Sequence, residues 1–331
     1  MSADPLGTSL ATAPPVIAMA DVADLLARHY GISGDLAALT SERDLNIRVT
    51  TAAGRFVLKF ANSAEPCAVT DFQIAALVHL EASALPVPRV IRSLAGETAL
   101  HGPFGMARLL TYLDGAPMFT TPNSPQRCAN MGRLAARLAT GLRDFHHKGS
   151  GHVLLWDIKH ATQLRPLLPM IDADHRALAT ECLDRFDRDV APRLALCRMQ
   201  VAHNDLNQHN LLVNPAMPDT VIGVLDFGDM VHTHLICDAA VALCYQIDPA
   251  APLDSLTRFA RAYHTVTPLT AVEAGLLRDL AATRMLTSLA IASARVARYP
   301  ENAAYILRNL PAAAAGLAAL ANAPRQPLDL T

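Results

Sequence analysis

Between His203 and Gly228 the chain sets a cluster of polar residues on a frame that few folds can accommodate. His203-Asn204-Asp205 is followed by Asn210, and Asp226-Phe227-Gly228 closes the stretch. Two β-forming runs lie between them, Leu211-Leu212-Val213 and Val221-Ile222-Gly223-Val224-Leu225, joined by the turn-forming Asn214-Pro215-Ala216-Met217-Pro218-Asp219. The pattern predicts a β-hairpin. Closing it brings Asn210 and Asp226, sixteen residues apart, to one open end beside Asp205. Mg²⁺ takes hard oxygen ligands and keeps phosphate and water in its shell, so the Asp226 carboxylate and the Asn210 amide oxygen form a candidate metal-phosphate site. Asp205 is then placed to accept or orient a hydroxyl proton, with His203 bracing the loop and Asp238 bracing it from a following helix. The competing reading makes these residues ordinary turn and cap positions. It explains each one singly, but not their order around a hairpin.

Composition narrows the partners. The 331 residues are 51% hydrophobic and 18% charged, which describes a folded chain with a sizeable core. Lys+Arg 28 against Asp+Glu 30 gives a net charge of -2, with no general pull towards nucleic acid or an anionic membrane. The six cysteines, at 67, 128, 182, 197, 237 and 244, include no Cys-x-x-Cys pair, so free thiols in a reducing cytoplasm are expected. No basic stretch followed by a sustained apolar run marks a secretory signal at the N-terminus. The apolar stretch at 276–297 is interrupted by Arg278, Asp279, Arg284 and Arg295, too often for a membrane span.

Along the chain, residues 1–15 read as a loose tail and Val16–Tyr30 as an amphipathic helix. Asn46–Thr50 and Arg55–Phe60 form a hairpin about Thr51-Ala52-Ala53-Gly54. A helix over Ala68–Ser83 ends at Leu85-Pro86-Val87-Pro88, with strands expected at Val90–Ser93 and Phe104–Leu110. Beyond Ser124 helices dominate, at 125–147, 171–190, 251–266, 270–298 and 301–321. A β-rich N-terminal part over 16–110 and a helical part over 111–331 follow, without the strand–helix alternation of doubly wound sheets.

His203-x-Asp205-x-x-x-x-Asn210 followed by Asp226-Phe227-Gly228 resembles the kinase catalytic and metal-binding loops. With a strand lysine, Lys59, ahead of it, the chain resembles the aminoglycoside phosphotransferase and choline kinase superfamily. Thr40-Ser41-Glu42-Arg43-Asp44-Leu45-Asn46 and Val224-Leu225-Asp226-Phe227-Gly228-Asp229-Met230 are most similar to hydroxylysine kinase-like members. The resemblance spans about residues 16–310. It implies an α+β, two-lobed protein-kinase-like fold with ATP or GTP and Mg²⁺ bound between the lobes. The implied acceptor is a hydroxyl of a small amino alcohol of hydroxylysine type, with homoserine, choline, ethanolamine or an aminoglycoside as alternatives. A protein-kinase role is disfavoured, because no Ala-Pro-Glu-type segment follows Gly228. An inactive nucleotide-binding pseudokinase is the competing class.

Carried over by position, Asp205 is catalytic, Asn210 and Asp226 hold metal, and Lys59 meets the α- and β-phosphates. The alternative for Lys59 is an ordinary strand lysine. The helix glutamate that normally holds this lysine is replaced by Gln73, whose amide hydrogen-bonds but carries no charge; Glu65 and Asp71 are the substitutes. Ser41 and Asn46 lie in a glycine-free, acidic phosphate loop, for which a solvated turn is the alternative. The backbones of Leu110 and Tyr112 take the hinge position against the purine. For the substrate ammonium, Trp156-Asp157 is the leading pair, the other reading being a packed helix start with Asp157 as its cap. Asp229 is placed for metal or substrate. Arg43, Arg48 and His209 are weak partners for a substrate carboxylate, and His232 and His234 read as surface or loop histidines.

Overall fold

The computed structural model describes residues 12–41 and 43–330. Residues 1–11 of the expected tail, and Glu42 of the expected phosphate loop, lie outside the described residues. Packing divides the chain into two units, one running through Asp114 and taking in His147–Ser150, the other comprising Gly115–His146 and Gly151 onward. The first extends past the expected 110 because Arg55 holds the chain there. Its carbonyl accepts the Tyr112 N–H at 3.0 Å and its guanidinium pairs with Asp114. His147–Ser150 packs with the first unit. His147 stacks on Phe72 at 5.7 Å, and Gly149 approaches Ala68 so closely that a Cβ there would sit 2.1 Å from its carbonyl oxygen.

In the first unit, α1 (Met19–Tyr30) ends at Gly31 in the left-handed conformation, φ 65°. An antiparallel sheet follows, built from β1 (Asp35–Leu39), β2 (Leu45–Thr51) and β3 (Gly54–Phe60). After α2 (Cys67–Leu80) come β4 (Val90–Ile91), β5 (Leu100–Gly102) and β6 (Gly105–Thr111). The order is β1-β2-β3-β6-β4, with β5 pairing β6. Strand alternation sorts the two faces. Ile47, Val49, Leu58, Phe60, Ala107 and Leu109 turn to one side and pack with Val22, Leu25 and Leu26 of α1. The residues between them turn to the other. The directly opposed Asn46↔Lys59 and Lys59↔Arg108 pairs therefore place three polar side chains in a row across β2, β3 and β6.

The second unit contains β7 (Ala116–Pro117), α3 (Pro125–Gly141), α4 (Ala173–Arg185), α5 (Ala191–Leu194) and β8 (Met199–Ala202). Next come β9 (Leu211–Asn214), β10 (Met217–Val224) and β11 (Val231–His234). Helices α6 (Leu235–Cys244), α7 (Pro252–His264), α8 (Ala271–Arg298), α9 (Ala303–Ile306) and α10 (Leu310–Asn322) complete it. The hairpin between Asn210 and Asp226 forms as expected, but with a tighter turn. Asn214 Oδ1 accepts the Ala216 N–H at 2.9 Å, pairing resumes at Met217↔Asn214, and register shifts absorb the longer β10. The strip 158–170 is a kinked 3₁₀ stretch with two internal prolines. Helix α8 starts with a Thr270/Glu273 capping box and is buried along most of its length. Among the described residues no single helix is long and apolar enough to cross a membrane, although Pro300–Ile306 and Leu310–Asn322 pass that test as a bent pair. All six cysteines are free.

Candidate active site

In the second unit, Asp205 follows β8 and is held at both carboxylate oxygens. Its Oδ2 accepts from the Asn210 side-chain amide at 2.7 Å and from Asn207 at 2.8 Å. Its Oδ1 accepts from Arg284 at 2.9 Å. A carboxylate oxygen offers about two acceptor positions. Oδ2 is thus saturated, and Oδ1 is the oxygen left to receive a further hydroxyl.

The flanking backbone holds this loop. Among the described residues only Asn204 (φ 64°) and Asp226 (φ 56°) are non-glycines with positive φ, and they bracket the candidate site. The Asn204 N–H donates to the buried Asp238 Oδ1 at 2.7 Å, the bracing expected of Asp238. His203, fully buried, contacts the Leu225 carbonyl through Nε2 at 3.0 Å and meets Phe227 edge-on at 4.8 Å. The Leu225 N–H donates to the Asn210 carbonyl at 2.7 Å, so the residue preceding Asp226 is tied to Asn210.

The donor set suits a hard cation. The Asn210 amide nitrogen is committed to Asp205, which leaves its oxygen as the ligating end. Asp226 is exposed, and its Oδ1 accepts the Gly228 N–H at 3.2 Å. Burial pushes the Asp205 carboxyl up to about 6 against the pull of Arg284, and the Asp229 and Asp226 charges add to the rise. Such mutual repulsion is what a bound cation relieves. Asn210 and Asp226 together make a candidate two-ligand site of the kind Mg²⁺ completes with phosphate and water. His232 and His234 lie on β11, paired with β8, and His234 is buried; they are strand residues, where surface or loop positions were expected.

Arg284, from the middle of α8, joins the site with no local signal in the sequence. It is 2% exposed, lies 4.8 Å from the Trp156 ring centroid and donates to the Trp156 carbonyl at 2.9 Å. Trp156 is thereby placed next to Asp205 through Arg284, which already covers one face of its ring. Asp157 is different. It is fully buried as the cap of the 158–170 stretch, accepting from Lys159 N and from Thr233 Oγ1 at 2.8 Å and pairing with Lys159 Nζ at 2.9 Å. The helix-cap alternative therefore describes Asp157, and no face of it is left for a substrate ammonium. Asp229 is half-buried in the turn after Asp226. His209, a weak carboxylate candidate, contacts Asn309 Oδ1 at 3.1 Å.

In the first unit, Lys59 lies 3.6 Å from Asp44 Oδ2. The Gln73 amide donates to Glu65 Oε1 at 3.1 Å and accepts from Arg108 Nη2 at 3.0 Å. Gln73 is thus bonded to Arg108, opposite Lys59 on the next strand, while a carboxylate for Lys59 comes from the loop before β2. Asp71 is exposed. Asn46 Oδ1 is buried without a hydrogen-bond partner among the described residues, and Ser41 is half-buried. Leu110 is in register with Val57 and Val90, and the Tyr112 N–H is spent on Arg55. That donor is therefore withdrawn from a hinge contact.

Burial also pushes His160, His203, His209, His232 and His234 below the ordinary imidazole value, so they stay neutral in the folded chain. The unfolded chain takes up these protons below about pH 6.5, and folded stability is lost as the pH falls through that value. Asp205 and Asp238, raised by burial, protonate first in the folded chain and act in the opposite sense. The histidine contribution acts in the window just below about pH 6.5 and is expected to make Tm lower at about pH 5.5 than at about pH 7.5. A flat or rising Tm on acidification would contradict this balance.

A β-rich unit followed by a helical one, with this loop and hairpin, defines a phosphotransferase of kinase-like fold that acts on hydroxyl groups. The chain belongs to the phosphotransferase enzyme family, whose model matches residues 35–276. It is 28% identical over 330 residues to a hydroxylysine kinase of Mus musculus, covering 90% of this chain and 88% of that one. A hydroxylysine kinase of Danio rerio is 30% identical over 313 residues, with 88% of each covered. Among solved structures, a microcompartment-associated aminopropanol kinase superposes with a TM-score of 0.68 at 19% identity, covering 90% of this chain and 95% of that one. An amicoumacin kinase in complex with AMP-PNP and Ca²⁺ gives 0.65 at 13% identity, covering 89% and 93%.

Proposed function

We propose that this chain is a cytoplasmic kinase that moves the γ-phosphoryl group of ATP or GTP to the hydroxyl of a hydroxylysine-like amino alcohol. The observation that carries the reading is the state of Asp205, with Oδ2 saturated by two amides and Oδ1 open to one more donor. The acceptor hydroxyl donates to Oδ1, which fixes its oxygen for in-line attack and takes its proton as the new O–P bond forms and the nucleoside diphosphate leaves. Asn210 and Asp226 would hold Mg²⁺, which when bound supplies charge neutralisation at the phosphates. Lys59, Asn46 and Ser41 are assigned to phosphate, the main chain of Leu110 and the Tyr112 carbonyl to the purine, and Trp156 and Asp229 to the acceptor. The amino-alcohol class is supported by relatives named hydroxylysine kinases that align with most of the chain.

Nucleoside diphosphate release, measured with Mg²⁺ and ATP or GTP against hydroxylysine, homoserine, choline, ethanolamine and an aminoglycoside, tests the proposal. Hydroxylysine is expected to give the largest kcat/KM. Preference for a cationic acceptor without an amino-acid carboxylate would overturn the hydroxylysine assignment while leaving the phosphotransferase in place. Nucleotide binding without turnover on any acceptor would favour the pseudokinase reading.

A further inference from the structure

Lys59 and Arg108 are directly opposed on β3 and β6, so two cations share one sheet face. Like charges in such a pair repel, and Gln73, being neutral, accepts a hydrogen bond from Arg108 but brings no counter-charge. Arg108 is 3% exposed, and its Nη1 has no hydrogen-bond partner among the described residues. Asp44 answers both charges, with Oδ2 at 3.6 Å from Lys59 Nζ and 3.7 Å from Arg108 Nη2. Asp44 is itself anchored, because its Oδ1 accepts the Asn62 N–H at 3.1 Å. The Asn62 side-chain amide in turn donates to the carbonyls of Thr12, Ala13 and Arg43, tying the loop before β2 to the end of β3.

We propose that Asp44, carried by the loop between β1 and β2, is the carboxylate that positions Lys59 for nucleotide phosphates, in place of an acidic residue on α2. The proposal rests on the kinase reading of Lys59 given above. The ion pair at 3.6 Å sets where the Lys59 ammonium sits, and an ammonium group has three donors with which to meet phosphate oxygens. Arg108 and the Asn62 N–H keep Asp44 from following the lysine. The acidic character of this loop then has a purpose, since its carboxylate points at the lysine instead of at phosphate. Asp44 is a positioning residue that acts through Lys59.

The test is a double-mutant cycle on the full chain, read by calorimetric binding of Mg²⁺·ATP and Mg²⁺·GTP and by KM for nucleotide and acceptor separately. Asp44→Asn keeps an oxygen for the Asn62 N–H and removes the charge. It is expected to weaken nucleotide binding about tenfold and to leave the acceptor KM within about twofold. In a Lys59→Met background the same change should cost less than about twofold, because the lysine it acts through is gone. Gln73→Glu added to Asp44→Asn should recover part of the loss by returning a carboxylate to α2. Asp44→Ser repeats the measurement with another uncharged oxygen should the Asn variant fail to fold. Unchanged nucleotide affinity in the Asp44 variants, or an equal loss with and without Lys59, overturns the proposal and leaves the kinase assignment standing. If the unaltered chain binds neither nucleotide, the kinase reading falls and this one falls with it.

Discussion

Asp205→Asn should lower kcat about 10²–10⁴-fold, the range over which a positioned proton acceptor contributes, while the nucleotide KM changes little. The substitution is nearly isosteric but has the wrong polarity for this site. Asp205 receives donors at both oxygens, from Asn207 and Asn210 on one and Arg284 on the other. A carboxamide has one oxygen, so whichever way it turns its NH₂ group faces a donor. The variant therefore loses the proton acceptor and the oxygen that aims the acceptor hydroxyl together. Coupled turnover under saturating nucleotide and acceptor reads the effect, with a parallel melting curve to show that the protein is folded. A loss smaller than about tenfold would remove Asp205 from the proton-accepting role.

The parts of this site that could be read in the sequence are those encoded locally. Asp205, Asn210 and Asp226 were legible because turn residues and β-forming runs set the hairpin between them, and a hairpin puts its ends together whatever surrounds it. Its turn was misjudged in length, since Asn214 closes it on two residues by a side-chain hydrogen bond. The hairpin of β2 and β3 was legible from its β-forming runs and small-residue turn, and so was Lys59 as a strand residue. Helix α6 was named only through Asp238. All ten of its residues are buried, so it shows no polar side and no period to detect. Strand β1, Asp-Leu-Ala-Ala-Leu, is composed of residues that favour helix or are indifferent, and only its pairing with β2 makes it a strand.

The misses are matters of long-range pairing. Asp157 and Trp156 are adjacent in sequence, which suits a recognition pair and a capped helix start equally. The chain separates them, turning Asp157 onto Lys159 and Thr233 and leaving Trp156 under Arg284. The helix position of Gln73 gives no sign that a carboxylate beside Lys59 comes from a loop. Arg284 had no local signature. Within α8 it looked like one of several charges breaking an apolar stretch, and its partner lies 79 residues earlier.

Arg284→Ala should be the most destabilising single change at the site, and it should abolish most turnover as well. Arg284 is 2% exposed and ion-paired with Asp205, whose side chain is 16% exposed. Removing one member of a buried pair leaves the other desolvated and uncompensated, at a cost of about 3–5 kcal/mol. The truncation also opens a gap against Trp156, because the guanidinium stacks on that ring and bonds its carbonyl. For a chain of this size the sum corresponds to a Tm loss of roughly 5–10 °C. The double variant Arg284→Met/Asp205→Asn separates charge from packing. Methionine refills much of the volume, and the amide removes the stranded charge, so the pair should be more stable than Arg284→Ala despite carrying two changes. It should stay inactive, because the proton acceptor is gone. Arg284→Lys keeps the charge but loses the planar fork that reaches Asp205 Oδ1 and the Trp156 carbonyl together, so it should rescue stability more than kcat. Equal recovery of both in the lysine variant would mean that charge alone matters and that the two-point hold on Asp205 and Trp156 does not.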